Sequence, residues 1–94
     1  MAEKLTKTLT LANRYGMHVR PAGLFAKTAS RYDADIEVEK DGTVVSGMSI
    51  MALMTLEAGH GAVLKVTASG PQAQEALDEL EALVGRKFDI PDEQ

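Results

Sequence analysis

The sequence lacks cysteine, an excess of basic charge and long apolar runs, and each absence excludes a class of function. Without cysteine, the chain has no disulfide, thiolate metal site or cysteine nucleophile. The formal net charge of −4 is unlike the basic face that nucleic-acid-binding proteins usually carry. No segment approaches the roughly 20 apolar residues of a membrane span, and the first residues show no apolar signal segment. We therefore expect a cytoplasmic protein that binds no nucleic acid and inserts into no membrane.

What remains is the composition of an ordinary small globular protein. Apolar residues make up 45% and charged residues 26% of the 94 residues. A chain of this length forms one domain and buries only about 60–65% of its unfolded surface, which leaves no room for a deep cofactor cleft. We expect a monomeric single domain over residues 1–94, with a structured core at about 3–88 and an acidic tail at 89–94.

Hydropathy patterns predict elements in the order β-α-β-β-α-β-α. Alternation indicates strands over residues 5–11, 35–39, 44–48 and 62–69, and helical spacing indicates helices over 21–31, 49–57 and 71–85. Asp41-Gly42 is typical of a tight hairpin turn. Each strand has one apolar and one polar face, although Lys7 interrupts the apolar face of the first. We therefore expect a two-layer α/β (α+β) open-faced sandwich, a four-stranded antiparallel sheet covered on one face by three helices.

The segment Gly-Met-His-Val-Arg-Pro-Ala at residues 16–22 carries the most chemistry. Pro21 fits only the first turn of a helix, so the helix begins near Val19 and His18 lies at or near its N-cap. The unpaired N–H groups of Val19 and Arg20 would then lie beside the imidazole, at a helix end that attracts phosphate. The Arg20 guanidinium adds a partner for phosphate oxygens. The segment thus combines a nucleophile with an anion-binding cradle.

On these residues alone, plainer interpretations remain open. A histidine near a helix start is more often a polar cap or a surface residue. Ser49, which precedes an apolar run, is most simply an N-cap residue. His60 lies in a Gly-His-Gly loop with no further metal ligands nearby in sequence, so we expect a loop residue and no metal site.

The second predicted helix carries more apolar residues than one buried face can hold. Ile50 and Met51 are adjacent, and Met54 follows Ile50 by one turn. Part of this helix is therefore expected to form an apolar surface near His18, although a fully buried arrangement of Ile50 and Met54 is an equal alternative. Methionine is flexible and suits a surface that binds several partners. Arg14, Arg20 and Lys27 would add positive charge at its rim.

Two segments resemble a known family. Gly-Met-His-Val-Arg-Pro-Ala is similar to the Gly-Leu-His-Ala-Arg-Pro-Ala signature of HPr, the histidine-containing phosphocarriers of the bacterial phosphoenolpyruvate:sugar phosphotransferase system. Residues 46–56, Ser-Gly-Met-Ser-Ile-Met-Ala-Leu-Met-Thr-Leu, resemble the family's second conserved block. The similarity covers about residues 5–88.

The resemblance implies a specific chemistry. His18 would accept a phosphoryl group on Nδ1 from enzyme I and pass it to an enzyme IIA domain, with Arg20 assisting and no cofactor or metal. Ser49 would be the regulatory serine that HPr kinase/phosphorylase modifies. The docking face would comprise Val19, Arg20, Lys27, Ile50, Met51 and Met54. The protein would be a stoichiometric carrier, not an independent turnover enzyme.

Three functions other than the sugar-uptake carrier remain open from the sequence. The nitrogen-branch paralogue has the same histidine motif and a regulatory output. A regulatory HPr-like binding protein would act through phosphoserine, and His18 argues against it. An α/β sandwich in which His18 is incidental would need a pocket, and the sequence offers no second acid or base for one.

Overall fold

The computed structural model describes residues 4–90; residues 1–3 and 91–94 lie outside the description. The elements are β1 (Lys4–Thr10), α1 (Val19–Ala29), β2 (Asp35–Lys40), β3 (Thr43–Ser46), α2 (Ile50–Met54), β4 (Val63–Ser69) and α3 (Ala73–Gly85), followed by a 3₁₀ turn (Lys87–Asp89). The predicted order of strands and helices is confirmed. Within residues 4–90, even the longest helix has only 13 residues, and none has the length and apolar composition of a membrane span.

The four strands form one antiparallel sheet in the order β1-β4-β2-β3. Cross-strand pairs such as Leu9 with Leu64 and Val38 with Val66 place apolar side chains on the same face. The helices cover this face and the other is exposed to solvent, because alternate strand residues point to opposite sides. The predicted two-layer open-faced sandwich is confirmed.

The two long helices contribute the apolar stripes that the sequence predicts. From α1, the buried apolar residues include Ala22, Phe25, Ala26 and Ala29, and from α3 they are Ala73, Ala76, Leu77, Leu80, Leu83 and Val84. The stripes recur at the three- and four-residue spacing of a helix that packs one side on a core. This packing fixes the direction of α1 and therefore the place of its first turn.

Several boundaries differ from the prediction. Helix α1 ends at Ala29, not at residue 31, because Ser30 is its C-cap. Strand β3 ends at Ser46, not at residue 48, because the Ser46 carbonyl oxygen accepts the N–H of Ser49 at 3.4 Å in a turn that leads into α2. Helix α2 ends at Met54, not at 57, since the following residues make i→i−3 bonds and Glu57 has φ of +51°. Helix α3 begins at Ala73, two residues after Pro71.

The break in the apolar face of β1 has a specific cause. Lys7 lies on an edge strand, and its Nζ reaches Oε1 of Glu81 at 2.5 Å and Oδ1 of Asp78 at 3.4 Å on α3. The hydrogen bond to Glu81 is the main reason that the pKa of the Lys7 amine is raised above its ordinary value. The Lys7 ammonium therefore links β1 to two carboxylates of α3.

The turn after α3 has no counterpart in the sequence prediction. Lys87, Phe88 and Asp89 all have left-handed φ values of 54°, 61° and 56°, which non-glycine residues rarely adopt. Phe88 and Ile90 are nevertheless buried, and Arg86 Nε donates to both carboxylate oxygens of Asp89 at 3.1 and 3.0 Å. The predicted acidic tail thus begins with Asp89 held by an ion pair, and its residues 91–94 lie outside the described chain.

Candidate functional site

His18 occupies the N-cap of α1, as the position of Pro21 predicts. Its backbone is extended (φ −80°, ψ −171°), and its carbonyl oxygen accepts the N–H of Ala22 at 2.9 Å, the first bond of the helix. Pro21 has no N–H, so the donors of the first turn are those of Val19 and Arg20. The imidazole and two backbone N–H groups therefore share the positive end of an 11-residue helix.

The loop before His18 is fixed by short hydrogen bonds. The Met17 N–H donates to the Ala58 carbonyl oxygen at 2.8 Å, and Nδ2 of Asn13 donates to the Gly16 carbonyl oxygen at 2.7 Å. Asn13 and Met17 are both buried. The residues on the N-terminal side of His18 are therefore bonded to the protein interior, and α1 begins immediately after the histidine.

A second loop, residues 58–62, supports the first. The Gly61 N–H donates to the Leu11 carbonyl oxygen at 2.7 Å, and the Leu11 N–H donates to the Ala62 carbonyl oxygen at 2.9 Å. Nδ1 of His60 lies 3.2 Å from the Asn13 carbonyl oxygen. His60 is thus a loop residue, as expected, and it joins the two loops. In the chain from residue 4 to 90, no cluster of three His, Cys, Asp or Glu residues is placed to hold a metal ion.

Tyr15 is a neighbour of the imidazole to which sequence reasoning gave no role. The Tyr15 and His18 rings meet edge to face, with centroids 6.1 Å apart and planes at 86°. The Arg14 guanidinium carbon lies 5.4 Å from the Tyr15 ring centroid, within range of a cation–π contact. The one sequence signal was an aromatic residue three positions before the histidine, across the turn at residues 13–16. The contact restricts the orientation of the ring that would react.

The environment of the His18 ring suits acceptance of a phosphoryl group. The ring is half-buried, and Val19 and Arg20 beside it are exposed, so a large partner can reach it. Phosphoryl transfer requires mainly a positioned nucleophile and groups that stabilise negative charge. For such a transfer, the imidazole would supply the nucleophile, and the two N–H groups and the Arg20 guanidinium would supply the donors.

Ser49 caps helix α2, which settles its local structural role. Its backbone is extended (φ −119°, ψ 117°), and Oγ accepts the N–H of Ala52 at 3.2 Å. Its carbonyl oxygen accepts the N–H of Leu53 at 3.0 Å. The residue is half-buried and lies at the N-terminal end of α2, where the helix dipole tolerates a negative charge.

Replacing Ser49 with alanine is expected to lower the free energy of unfolding by about 1 kcal/mol, because the Ala52 N–H loses its acceptor. Ser49→Asp keeps an acceptor at this position and should unfold close to the unmodified protein. Urea unfolding followed by circular dichroism compares the three proteins. Equal midpoints for the alanine variant and the original chain would contradict the cap.

Exposed apolar residues of α1 and α2 form one surface, the apolar patch, defined as Val19, Ile50, Met51 and Met54. Met51 is 80% exposed, and the other three are 42–57% exposed. The predicted exposure of Ile50 and Met54 is therefore confirmed, and the fully buried alternative is wrong.

Helix α1 places the patch beside the histidine. A Cβ on Gly23, one turn after Val19, would lie 3.8 Å from Cδ1 of Ile50, so the two helices touch there. Lys27 is exposed one further turn along. The structure thus brings Val19, Ile50 and Lys27 onto adjoining surface, with His18 at the start of the same helix.

Comparisons with known proteins identify the family. A family model described as PTS HPr component phosphorylation site matches residues 5–86. The chain is 39% identical over 85 residues to phosphocarrier protein HPr of Treponema pallidum, covering 90% of this chain and 97% of that protein. It is 37% identical over 86 residues to phosphocarrier protein NPr of Shewanella violacea, covering 92% and 94%. A crystal structure of HPr from Thermoanaerobacter tengcongensis matches with a TM-score of 0.88 at 40% identity, covering 90% and 96%. The chain therefore belongs to the HPr family, the phosphocarrier proteins of the phosphotransferase system.

Proposed function

We propose that this protein carries a phosphoryl group on His18 from enzyme I to enzyme IIA domains. The observation that supports this most directly is the imidazole at the N-cap of α1, beside two first-turn N–H groups and Arg20. It acts as a stoichiometric carrier, because the same side chain first accepts and then donates the group. Both reactions take place in the cytoplasm, and the carrier acts as a monomer.

The transfer is an exchange of one phosphorus–nitrogen bond for another. The lone pair of His18 Nδ1 attacks the phosphorus of the phosphohistidine on enzyme I, and the bond to the donor ring breaks with its electron pair returning to that ring. Val19 N–H, Arg20 N–H and the Arg20 guanidinium receive the phosphoryl oxygens. The reverse geometry then delivers the group to a histidine of enzyme IIA.

The apolar patch is proposed as the docking face for both partners, with Arg20 and Lys27 at its margin. Its supporting features are exposure, apolar character and the close approach of α2 to the helix that begins after His18. Flexible methionines suit one surface that must fit two different proteins in turn. Two cationic side chains on an otherwise acidic molecule would guide acidic partners.

The test uses phosphoenolpyruvate, Mg²⁺ and purified enzyme I. One phosphate per chain is expected, labile in acid and stable in base, on the peptide that contains His18. Intact-mass and peptide mass spectrometry measure both. Phosphate on the peptide that contains His60 instead, or no phosphate at all, would refute the proposal.

Arg20→Ala is expected to slow phosphorylation of His18 by roughly 100-fold, because the variant loses a charged donor to the transferred phosphoryl oxygens. Arg20→Lys should recover only part of the rate, since an ammonium cannot form the two-pronged contact of a guanidinium. Rapid-quench kinetics at fixed enzyme I concentration measure the effect. Arg31→Ala, an exposed arginine just beyond the other end of α1, is the matched control. Equal rates for the Arg20→Ala and Arg31→Ala variants would contradict the role.

We further propose the sugar-uptake branch and a regulatory role for Ser49. Relatives at similar identity carry both the HPr and the NPr names, so the assignment depends on the Ser49-Ile50-Met51 block and its likeness to the kinase-regulated type. Competition between a sugar-type and a nitrogen-type enzyme IIA for the phosphorylated protein tests the branch. Faster transfer to the nitrogen-type acceptor would assign the protein to the nitrogen branch instead.

HPr kinase/phosphorylase with ATP should place an acid-stable phosphate on Ser49, and Ser49→Ala should receive none.

A further inference from the structure

The exposed methionines are concentrated in one place. Within residues 4–90, Met48, Met51 and Met54 are 41%, 80% and 42% exposed, whereas Met17 is 4% exposed. The three exposed residues follow one another at three-residue intervals; Met51 and Met54 belong to the apolar patch, and Met48 lies in the turn before α2. The same segment uses Leu53 for its buried position. Thioethers therefore face the solvent while a hydrocarbon side chain fills the core.

This distribution matters because a thioether reacts where a hydrocarbon does not. The sulfur lone pair attacks one oxygen of a peroxide, the O–O bond breaks, and a sulfur–oxygen bond forms. The second oxygen leaves as hydroxide and takes a proton to give water. The sulfur is oxidised by two electrons and the peroxide is reduced. The product, methionine sulfoxide, is polar, and methionine sulfoxide reductases return it to the thioether.

We propose that Met51 and Met54 form a reversible oxidation site that reports peroxide to the docking surface. The inference rests on the proposed function, since it assigns the apolar patch to partner binding. Two sulfoxides would place polar oxygens where a partner covers the patch, and such groups oppose burial unless the partner offers hydrogen bonds. The core of the sandwich is untouched, because none of the three exposed methionines is buried in it.

The structure predicts which methionines oxidise first, and this prediction does not depend on any partner. Under dilute hydrogen peroxide, Met51 is expected to form sulfoxide first, Met48 and Met54 next, and Met17 last. Peptide mass spectrometry over time measures the four rates in the folded chain. The near-ultraviolet spectrum and unfolding midpoint should stay close to those of untreated protein while the three exposed residues react. Oxidation of Met17 as fast as Met51 would overturn the proposed site.

The functional test compares each protein with its own untreated sample. Oxidised protein is expected to accept phosphate from enzyme I about tenfold more slowly, and sulfoxide reductase should restore the rate. A variant with leucine at all three positions should keep the same rate before and after peroxide, whatever its starting rate. An unchanged rate for fully oxidised original protein refutes this inference but leaves the carrier function intact. Failure of the untreated protein to accept phosphate refutes the proposed function instead.

Discussion

Replacing His18 with alanine is expected to abolish phosphorylation by enzyme I completely. The imidazole is the group that would form the phosphorus–nitrogen bond, and the neighbouring donors can stabilise a phosphoryl group but cannot accept it covalently. The other histidine of the sequence, His60, lies in the supporting loop with Nδ1 facing the Asn13 carbonyl oxygen at 3.2 Å. It is therefore placed for loop contact and not for transfer.

Loss of phosphorylation must be separated from loss of structure. His18 makes no side-chain capping bond to its helix, so the alanine variant should unfold within about 1 kcal/mol of the original chain. His60→Ala is the matched control, because it removes the second imidazole and should still be phosphorylated. Incorporation is measured by intact mass after incubation with phosphoenolpyruvate and enzyme I. Persistent acid-labile phosphate on a folded His18→Ala protein would exclude His18 as the acceptor.

The sequence predicts the position of His18 because a local rule is strong there. Proline is compatible with only the first turn of a helix, so Pro21 fixes where α1 begins. The period of α3 is equally clear, since one side of a 13-residue helix meets the sheet. Both predictions use a pattern that spans only a few residues along the chain, and both agree with the structure.

Features that depend on contacts distant in sequence escaped prediction. Just after β3, the backbone passes so close to the neighbouring strand that a Cβ on Gly47 would lie 2.6 Å from Cγ2 of Ile36. The turn at Lys87–Asp89 adopts left-handed backbone because burial of Phe88 outweighs local preference. The edge-on contact of Tyr15 with His18 is close in sequence, but it depends on a loop that the bond from the Met17 N–H to the Ala58 carbonyl oxygen holds in place. Patterns of hydropathy carry no signal for such contacts.

Gly16 is the position where backbone geometry most strongly limits the site, and Gly16→Ala is expected to lower the free energy of unfolding by about 2–4 kcal/mol. Its φ is +64°, and an added Cβ would overlap the carbonyl oxygen of Ala58 and lie 2.6 Å from the carbonyl carbon and Cα of Gly59. All three atoms belong to backbone, so no flexible side chain can move aside. The two loops must separate, which breaks the bond from the Met17 N–H to the Ala58 carbonyl oxygen.

Because Met17 immediately precedes the N-cap, this separation would also move His18 relative to the first turn of α1. We therefore expect Gly16→Ala to slow phosphorylation even at temperatures where the variant remains folded, since transfer depends on the position of the nucleophile. Gly59→Ala is the matched control, because a Cβ there meets nothing within 4 Å. Urea unfolding and phosphorylation kinetics on both variants separate the effects on stability and on transfer. If Gly16→Ala were as stable and as active as Gly59→Ala, the contact between the two loops would not be what holds the histidine in place.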